Sequence, residues 1–209
     1  MTFDQPSVEQ DLVTYYDQEA TTRAQRDLSP ERHAWRAQYT ELLHSENRTT
    51  VLEIGCGPGR DGAAFASAGL TYRGVDLSPA QAAQARALGL DAQVASALDL
   101  PFAAASFDAA WTMSTLMHLV PGDLPRALKE IMRVLRPGSP LAVGVWGAAE
   151  DRQASWDDGT GFGPPRYFNL RTDRTLRAEL ERHGTIEHWA TAPGRRGLHY
   201  QWAVIRTPA

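Results

Sequence analysis

Apolar positions recur along the chain in two rhythms, and the switches between them mark its elements. Between residues 49 and 147, short β-type runs alternate with Ala-rich stretches of helical spacing. Residues 50–54, 71–76, 92–95, 107–111 and 141–146 read as five strands, the third of them weak. Helices are predicted over 62–68, stopped by Gly69, and over 79–88, opened by Ser78-Pro79 and closed by Gly89. A further helix over 124–135 puts Leu124, Leu128, Ile131, Met132 and Leu135 at helical spacing before Arg136-Pro137-Gly138 ends it. Such alternation predicts an α/β fold: a doubly wound, mostly parallel sheet with helices on both faces.

The flanks differ. Residues 1–48 are polar with a helical pattern: Ser29-Pro30-Glu31 starts a helix carrying Trp35, Tyr39, Leu42 and Leu43, and an earlier helix around 8–26 carries Leu12, Val13, Tyr15 and Tyr16. Residues 148–170 are rich in Gly, Pro, Asp and aromatic side chains, longer than an ordinary connection. A helix over 172–183 follows, then β-type runs at 186–191 and 199–206 separated by Pro193-Gly194-Arg195-Arg196-Gly197. Sequential strands with a short turn pair antiparallel. The sheet is therefore expected to end in an antiparallel hairpin, unlike a symmetric dinucleotide-binding sheet.

With 209 residues, 43% of them hydrophobic, the chain is expected to form a single domain with a real core. The net charge of −4 argues against a compact basic nucleic-acid binder. The single cysteine, Cys56, excludes an intramolecular disulfide and a Cys-ligated metal cluster, and no His-x-x-x-His pair suggests a metal. Mean hydropathy is −0.38 and no apolar run is long enough to span a bilayer. Met1–Pro6 lacks the basic and apolar regions of a secretory leader, so a cytoplasmic setting is expected.

The chemistry concentrates in Glu53-Ile54-Gly55-Cys56-Gly57-Pro58-Gly59-Arg60-Asp61-Gly62, between a strand and a helix. Glycines there let backbone approach a ligand, and the helix N-terminus behind them offers free N–H groups. Gly57-x-Gly59-x-x-Gly62 satisfies the dinucleotide fingerprint, but Gly55-Cys56 separates the strand from its first glycine. The other pattern is Glu53-x-Gly55-x-Gly57-x-Gly59. Asp76, ending the second strand, is placed to accept both hydroxyls of a ribose.

That second pattern resembles motif I of the class I S-adenosylmethionine-dependent methyltransferases, of the small-molecule type similar to methyltransferase domain 11. Val75-Asp76-Leu77-Ser78, the stretch 95–102 with Ser106-Phe107-Asp108, and Leu128–Gly138 match further family segments in order, covering 51–147. The resemblance implies a Rossmann-like fold and S-adenosylmethionine as cofactor, with S-adenosylhomocysteine as product. It also implies a cofactor site of Glu53, Gly55, Cys56, Gly57, Gly59, Arg60, Asp61, Asp76, Leu77, Ser96, Ala97, Leu98, Thr112, Met113 and Leu116, with Tyr16 on an N-terminal lid. The adenine edge falls to the backbone at Ala97 and Leu98. Many members carry an Asp where Ser96 stands; its carboxylate accepts from the adenine amino group, and the Ser hydroxyl here carries no charge. The chain then divides into a helical lid (1–48), a cofactor-binding core (49–147), an aromatic insert (148–170) and a C-terminal helix and β-hairpin (171–209).

For the acceptor, Thr112-Met113-Ser114-Thr115 stands where base- and amide-methylating members carry Asn/Asp-Pro-Pro-Tyr/Phe. A small molecule is therefore expected, methylated on O, N or C, rather than a nucleic acid, by a monomer or homodimer with no membrane partner. His118 and His199 are the candidate bases, and Trp146, Arg166, Tyr167 and Tyr200 the candidate acceptor wall. A nicotinamide-dependent oxidoreductase and a non-catalytic S-adenosylmethionine-binding module are the competing readings.

Overall fold

A computed structural model describes residues 4–208. The Met1–Phe3 part of the segment read for a leader lies outside that range. Two helices come first, α1 (Gln5–Gln25) and α2 (Pro30–Ser45). Each opens on a side-chain cap with proline in its first turn: Asp4 accepts from the Ser7 N–H at 3.1 Å, and Ser29 from the Arg32 N–H at 3.2 Å. Then follow β1 (Thr50–Ile54), α3 (Arg60–Ser67), β2 (Thr71–Asp76), α4 (Pro79–Ala87), β3 (Ala92–Val94) and β4 (Ala109–Met113). A single 3-10 turn, Leu116–His118, precedes α5 (Asp123–Val134) and β5 (Pro140–Ala148). The chain continues through β6 (Arg152–Trp156), β7 (Arg166–Leu170), α6 (Asp173–Glu181), β8 (Thr185–Pro193) and β9 (Leu198–Arg206).

Seven strands form one sheet in the order β3-β2-β1-β4-β5-β9-β8. The first five run parallel, and β9 and β8 add antiparallel at the end, as the C-terminal runs predict. Apolar residues on both pleats of the central strands need cover on both faces. Tyr39, Leu43, Phe65 and Ala85, from α2, α3 and α4, pack with Val51, Trp111 and Trp202 on one face. Leu124, Leu128, Ile131, Leu176 and Leu180, from α5 and α6, pack with Leu52, Ala110, Val143 and Ile205 on the other. Chain order reverses at β1, which lies between β2 and β4; ligands of open α/β sheets bind outside the strand ends at such a switch point. Helix α1 packs against α4 and β7 across that end.

Two elements differ in detail from their sequence patterns. The aromatic insert, 148–170, holds a hairpin: β6 and β7 pair antiparallel, with Trp156 against Phe168 at 4.6 Å between ring centroids. The hairpin was hidden because β6 buries little of itself and its nine-residue turn carries the Gly, Pro and Asp residues. Strand β4 also begins two residues later than its apolar run suggests. Phe107 makes only an isolated bridge to Leu135, and Asp108 turns its side chain into a staple.

One Asp108 oxygen accepts the backbone N–H groups of Thr49 and Thr50 at 3.1 and 3.0 Å, and the other pairs with Arg136. This joins the starts of β1 and β4 to the turn after α5. Burial alone would raise the carboxyl, but the Thr49, Thr50 and Arg136 donors outweigh it and hold Asp108 down to about 2. Because the folded value lies below the unfolded one, the stabilisation is complete above the unfolded value and lost as pH falls from there through the folded one. It amounts to about 2 kcal/mol. Asp108→Asn should flatten the acid limb of urea-measured stability between about pH 4 and 2; an unchanged limb would mean that the staple carries no charge-dependent stability.

Candidate active site

The cleft at the switch point measures about 700 Å³ including its open mouth. Its wall comes from the loop after β1, the end of β2, the loop after β3, the end of β4 and one face of α1. The β1 loop turns through left-handed conformations, φ 73° at Gly55 and 53° at Gly57. A Cβ on Gly55 would sit 1.9 Å from Thr115 Oγ1. On Gly57 it would meet nothing nearer than Arg23 Nε and Gln81 Oε1, each at 3.8 Å. The first glycine is therefore needed for packing, and the second leaves a cradle of bare backbone on the cleft.

Asp76 holds that cradle. Its Oδ2 accepts the Gly57 N–H at 2.7 Å and its Oδ1 the Ser78 N–H at 2.9 Å. Burial pushes its carboxyl up, against the pull of these two donors. Beside it, Gln81 is 1% exposed and donates through Nε2 to the Tyr16 carbonyl at 3.0 Å, while its Oε1 is buried without a partner. A buried unpaired acceptor is costly unless a ligand satisfies it.

The two acids flanking the loop do not face the cleft. Glu53 is buried behind it, accepting from the Tyr72 hydroxyl at 2.7 Å, and burial pushes its carboxyl well above the ordinary value. Asp61, at the start of α3, accepts from Arg32 Nε and Arg36 Nη1, both at 2.7 Å, and from Trp111 Nε1 at 2.9 Å. Burial would raise it, but the two guanidinium groups prevail and hold it below the usual carboxylate range. Asp61 therefore ties α2 to α3 and β4, and none of its charge remains for a ligand ammonium. Cys56 lends backbone to the loop; its buried thiol is pushed up, away from nucleophilic thiolate. Gly59 packs against α4, and Arg60 reaches Asp27 across a neighbouring depression.

Of the other expected positions, Leu77, Ser96, Ala97 and Met113 line the cleft. Leu98 spends its N–H on Ser96 Oγ at 3.1 Å. Thr112 and Leu116 are buried in the sheet and its flank, and Ser114 and Thr115 take their place on the wall. Sequence reasoning also missed Gln5, Glu9, Leu12 and Arg23, which reach the cleft from α1 together with Tyr16, and Gln81 from α4. The spacing of Gln5, Glu9, Leu12 and Tyr16 is helical, but half the stripe is polar, so an apolar count does not register it.

Tyr15 and Tyr16, adjacent on α1, meet edge to face at 5.3 Å between ring centroids but send their hydroxyls to different partners. Tyr15 donates to Asp158 in the β6–β7 turn at 2.6 Å, with the Arg166 guanidinium 4.4 Å over its ring. The Tyr16 hydroxyl meets His118 Nε2 at 2.9 Å inside the cleft, and His118 Nδ1 lies 2.6 Å from the Tyr167 carbonyl. A carbonyl only accepts, so Nδ1 carries the proton and Nε2 accepts from Tyr16. The Tyr167 ring points away, to Gln153. His199 lies outside the cleft, against Asp173 at 2.7 Å, so it does not join His118. Trp146 and Tyr200 line a separate depression with Trp35, whose ring stacks on Tyr200 at 5.6 Å. Ser114, 2.9 Å from the Tyr200 hydroxyl, borders both spaces.

Residues 52–143 match the family described as methyltransferase domain. The O-methyltransferase resE of Aspergillus sclerotiorum is 40% identical over 110 residues, 48% of this chain and 41% of that protein. The chain spans less than half the length of the curated relatives it matches first. Among solved structures, the 1,6-didemethyltoxoflavin-N1-methyltransferase of Burkholderia thailandensis, with bound 1,6-didemethyltoxoflavin and S-adenosylhomocysteine, aligns at TM-score 0.72 and 24% identity, over 100% of this chain and 93% of that one. The [4+2]-cyclase SpnF aligns at TM-score 0.65 and 22% identity, over 82% and 80%. The matched stretch runs from β1 into β5 and carries the glycine loop and Asp76, and the two solved structures share the fold of this chain.

Burial lowers His118 to about 4, helped by nearby Arg166 and Arg23 and opposed by the Tyr167 carbonyl. A folded value below the ordinary 6.5 means that the unfolded chain binds its proton first as pH falls. Stability is then lost from about pH 6.5 downward until about pH 4, by about 3 kcal/mol in full. His118→Gln should remove that loss, giving a flatter stability profile than the parent between about pH 7 and 4. Parallel profiles would contradict a buried neutral imidazole.

Proposed function

We propose that this protein transfers the methyl group of S-adenosylmethionine to an O, N or C nucleophile of a small molecule. The observation that carries the reading is the wall made by the bare Gly57 backbone, the Asp76 carboxylate and the unpaired Gln81 oxygen. It offers close backbone approach and two acceptors, the donor–acceptor complement of a ribose with its attached chain. Gly55, Gly57, Asp76, Leu77, Gln81, Ala97 and Met113 would hold the cofactor. When bound, S-adenosylmethionine supplies a methyl group already activated by its sulfonium.

A like fold belongs to a [4+2]-cyclase, so the reaction is read from the site rather than from the fold. Ser114 joins the cleft to the depression lined by Trp35, Trp146 and Tyr200, whose rings suit a flat aromatic acceptor. Arg166 and Tyr167 support the Tyr16–His118 pair from behind rather than forming that wall. His118 holds its proton at Nδ1 and is a weak base at Nε2. The pair therefore suits an acceptor whose lone pair is free near neutral pH, such as a phenolate, a carboxylate or a ring nitrogen. An O-methyltransferase among the relatives and an N-methyltransferase among the like folds support that range. The acidic chain supports a small molecule over nucleic acid.

Calorimetric titration tests the cofactor first. S-adenosylhomocysteine should bind in the micromolar range and NADH should not. NADH binding without S-adenosylhomocysteine binding would return the chain to the oxidoreductase reading.

A further inference from the structure

Ser96, on the loop after β3, carries no charge of its own and is not free to act alone. Its Oγ donates to Glu9 Oε1 at 2.7 Å and accepts the Leu98 N–H at 3.1 Å. The hydroxyl proton is therefore already spent on α1. Glu9 Oε1 is also approached by Gln5 Nε2 at 3.5 Å, and Gln5 Oε1 is pinned by the Val120 N–H at 2.9 Å. Glu9 Oε2 has no partner among the described residues, and Glu9, Ser96 and Ala97 all line the cleft. One carboxylate oxygen is thus fixed by protein donors while the other is left to whatever enters.

We infer that Glu9 is the acceptor for the exocyclic amino group of the cofactor's adenine. The N-terminal helix delivers the charge that position 96 lacks. The inference rests on the S-adenosylmethionine reading of the cleft. Asp76 marks the ribose end at β2, and Ser96 and Ala97 lie on the next loop outward, after β3. A base attached to that ribose would reach this loop and the α1 stripe above it. A carboxylate there welcomes the two N–H donors of a 6-amino purine and repels the acceptor oxygen of a 6-oxo purine. Ser96 then serves as a positioning residue, orienting Glu9 rather than meeting the base.

The test compares calorimetric affinities for S-adenosylhomocysteine and its deaminated analogue S-inosylhomocysteine in the full chain. A charge-assisted hydrogen bond predicts that the parent prefers the adenosyl compound by about 10- to 100-fold. In Glu9→Gln, whose amide can also donate to a 6-oxo group, the preference should fall below about 3-fold. Glu9→Ala with Ser96→Asp returns a carboxylate to the loop itself and should restore a preference above about 10-fold. Thermal melts of each variant check folding, and the ratio of the two ligands is insensitive to a general weakening of α1. If Glu9→Gln weakens both ligands alike and keeps the parent's preference, Glu9 merely docks the helix and the inference is wrong. A parent that binds both compounds equally overturns it too. A parent that binds neither overturns the cofactor reading itself, and this inference with it.

Discussion

The cleft depends on how α1 is held across the ends of the parallel strands. That helix buries few apolar side chains, chiefly Val8, Leu12, Tyr15 and Ala20, so polar contacts must hold it. Asp17 accepts from Ser78 Oγ at 2.5 Å and from the Ala80 N–H at 3.0 Å, at the very start of α4. Gln18 accepts from the Gly163 N–H at 2.7 Å, and Tyr15 donates to Asp158. Such bonds add only about 0.5–1.5 kcal/mol net between neutral groups and about 1.5–3 kcal/mol to a carboxylate, since water competes for the same groups.

Beneath the cover, two aspartates divide the work. Asp61 is fully engaged by two arginines and an indole, and it sets the glycine loop by fixing α3 against α2 and β4. Removing such a buried anion would leave two guanidinium groups without their partner, the costly half of a buried ion pair. Asp76 accepts only backbone N–H groups and sits on the cleft. Both lie within or just after glycine–acid spacings, yet only their partners distinguish the structural one from the one available to a ligand.

Much of the fold was legible because its signals are local. The strand–helix alternation over 49–147, the caps at Ser29 and Ser78 and the paired C-terminal runs each translate directly into elements. The β6–β7 hairpin was not, because its nine-residue turn is long for a hairpin and the exposed β6 gives no apolar rhythm. At the site, the β1 loop and Asp76 could be read from spacing. Glu9, Arg23 and Gln81 could not: each is a polar residue in a helix, ordinary until the tertiary fold turns it toward the cleft. Likewise, nothing in the local sequence says that Asp61 meets Arg32 and Arg36, or that His199 is drawn off to Asp173.

The central claim is that α1 is part of the ligand site and not only a neighbour of it. Hydrogen–deuterium exchange of the amides over residues 9–19, with and without saturating S-adenosylhomocysteine, addresses it most directly. Marked slowing on binding, greater there than in α5 on the remote face, is the predicted result. Ligand binding with no change in α1 exchange would contradict the account.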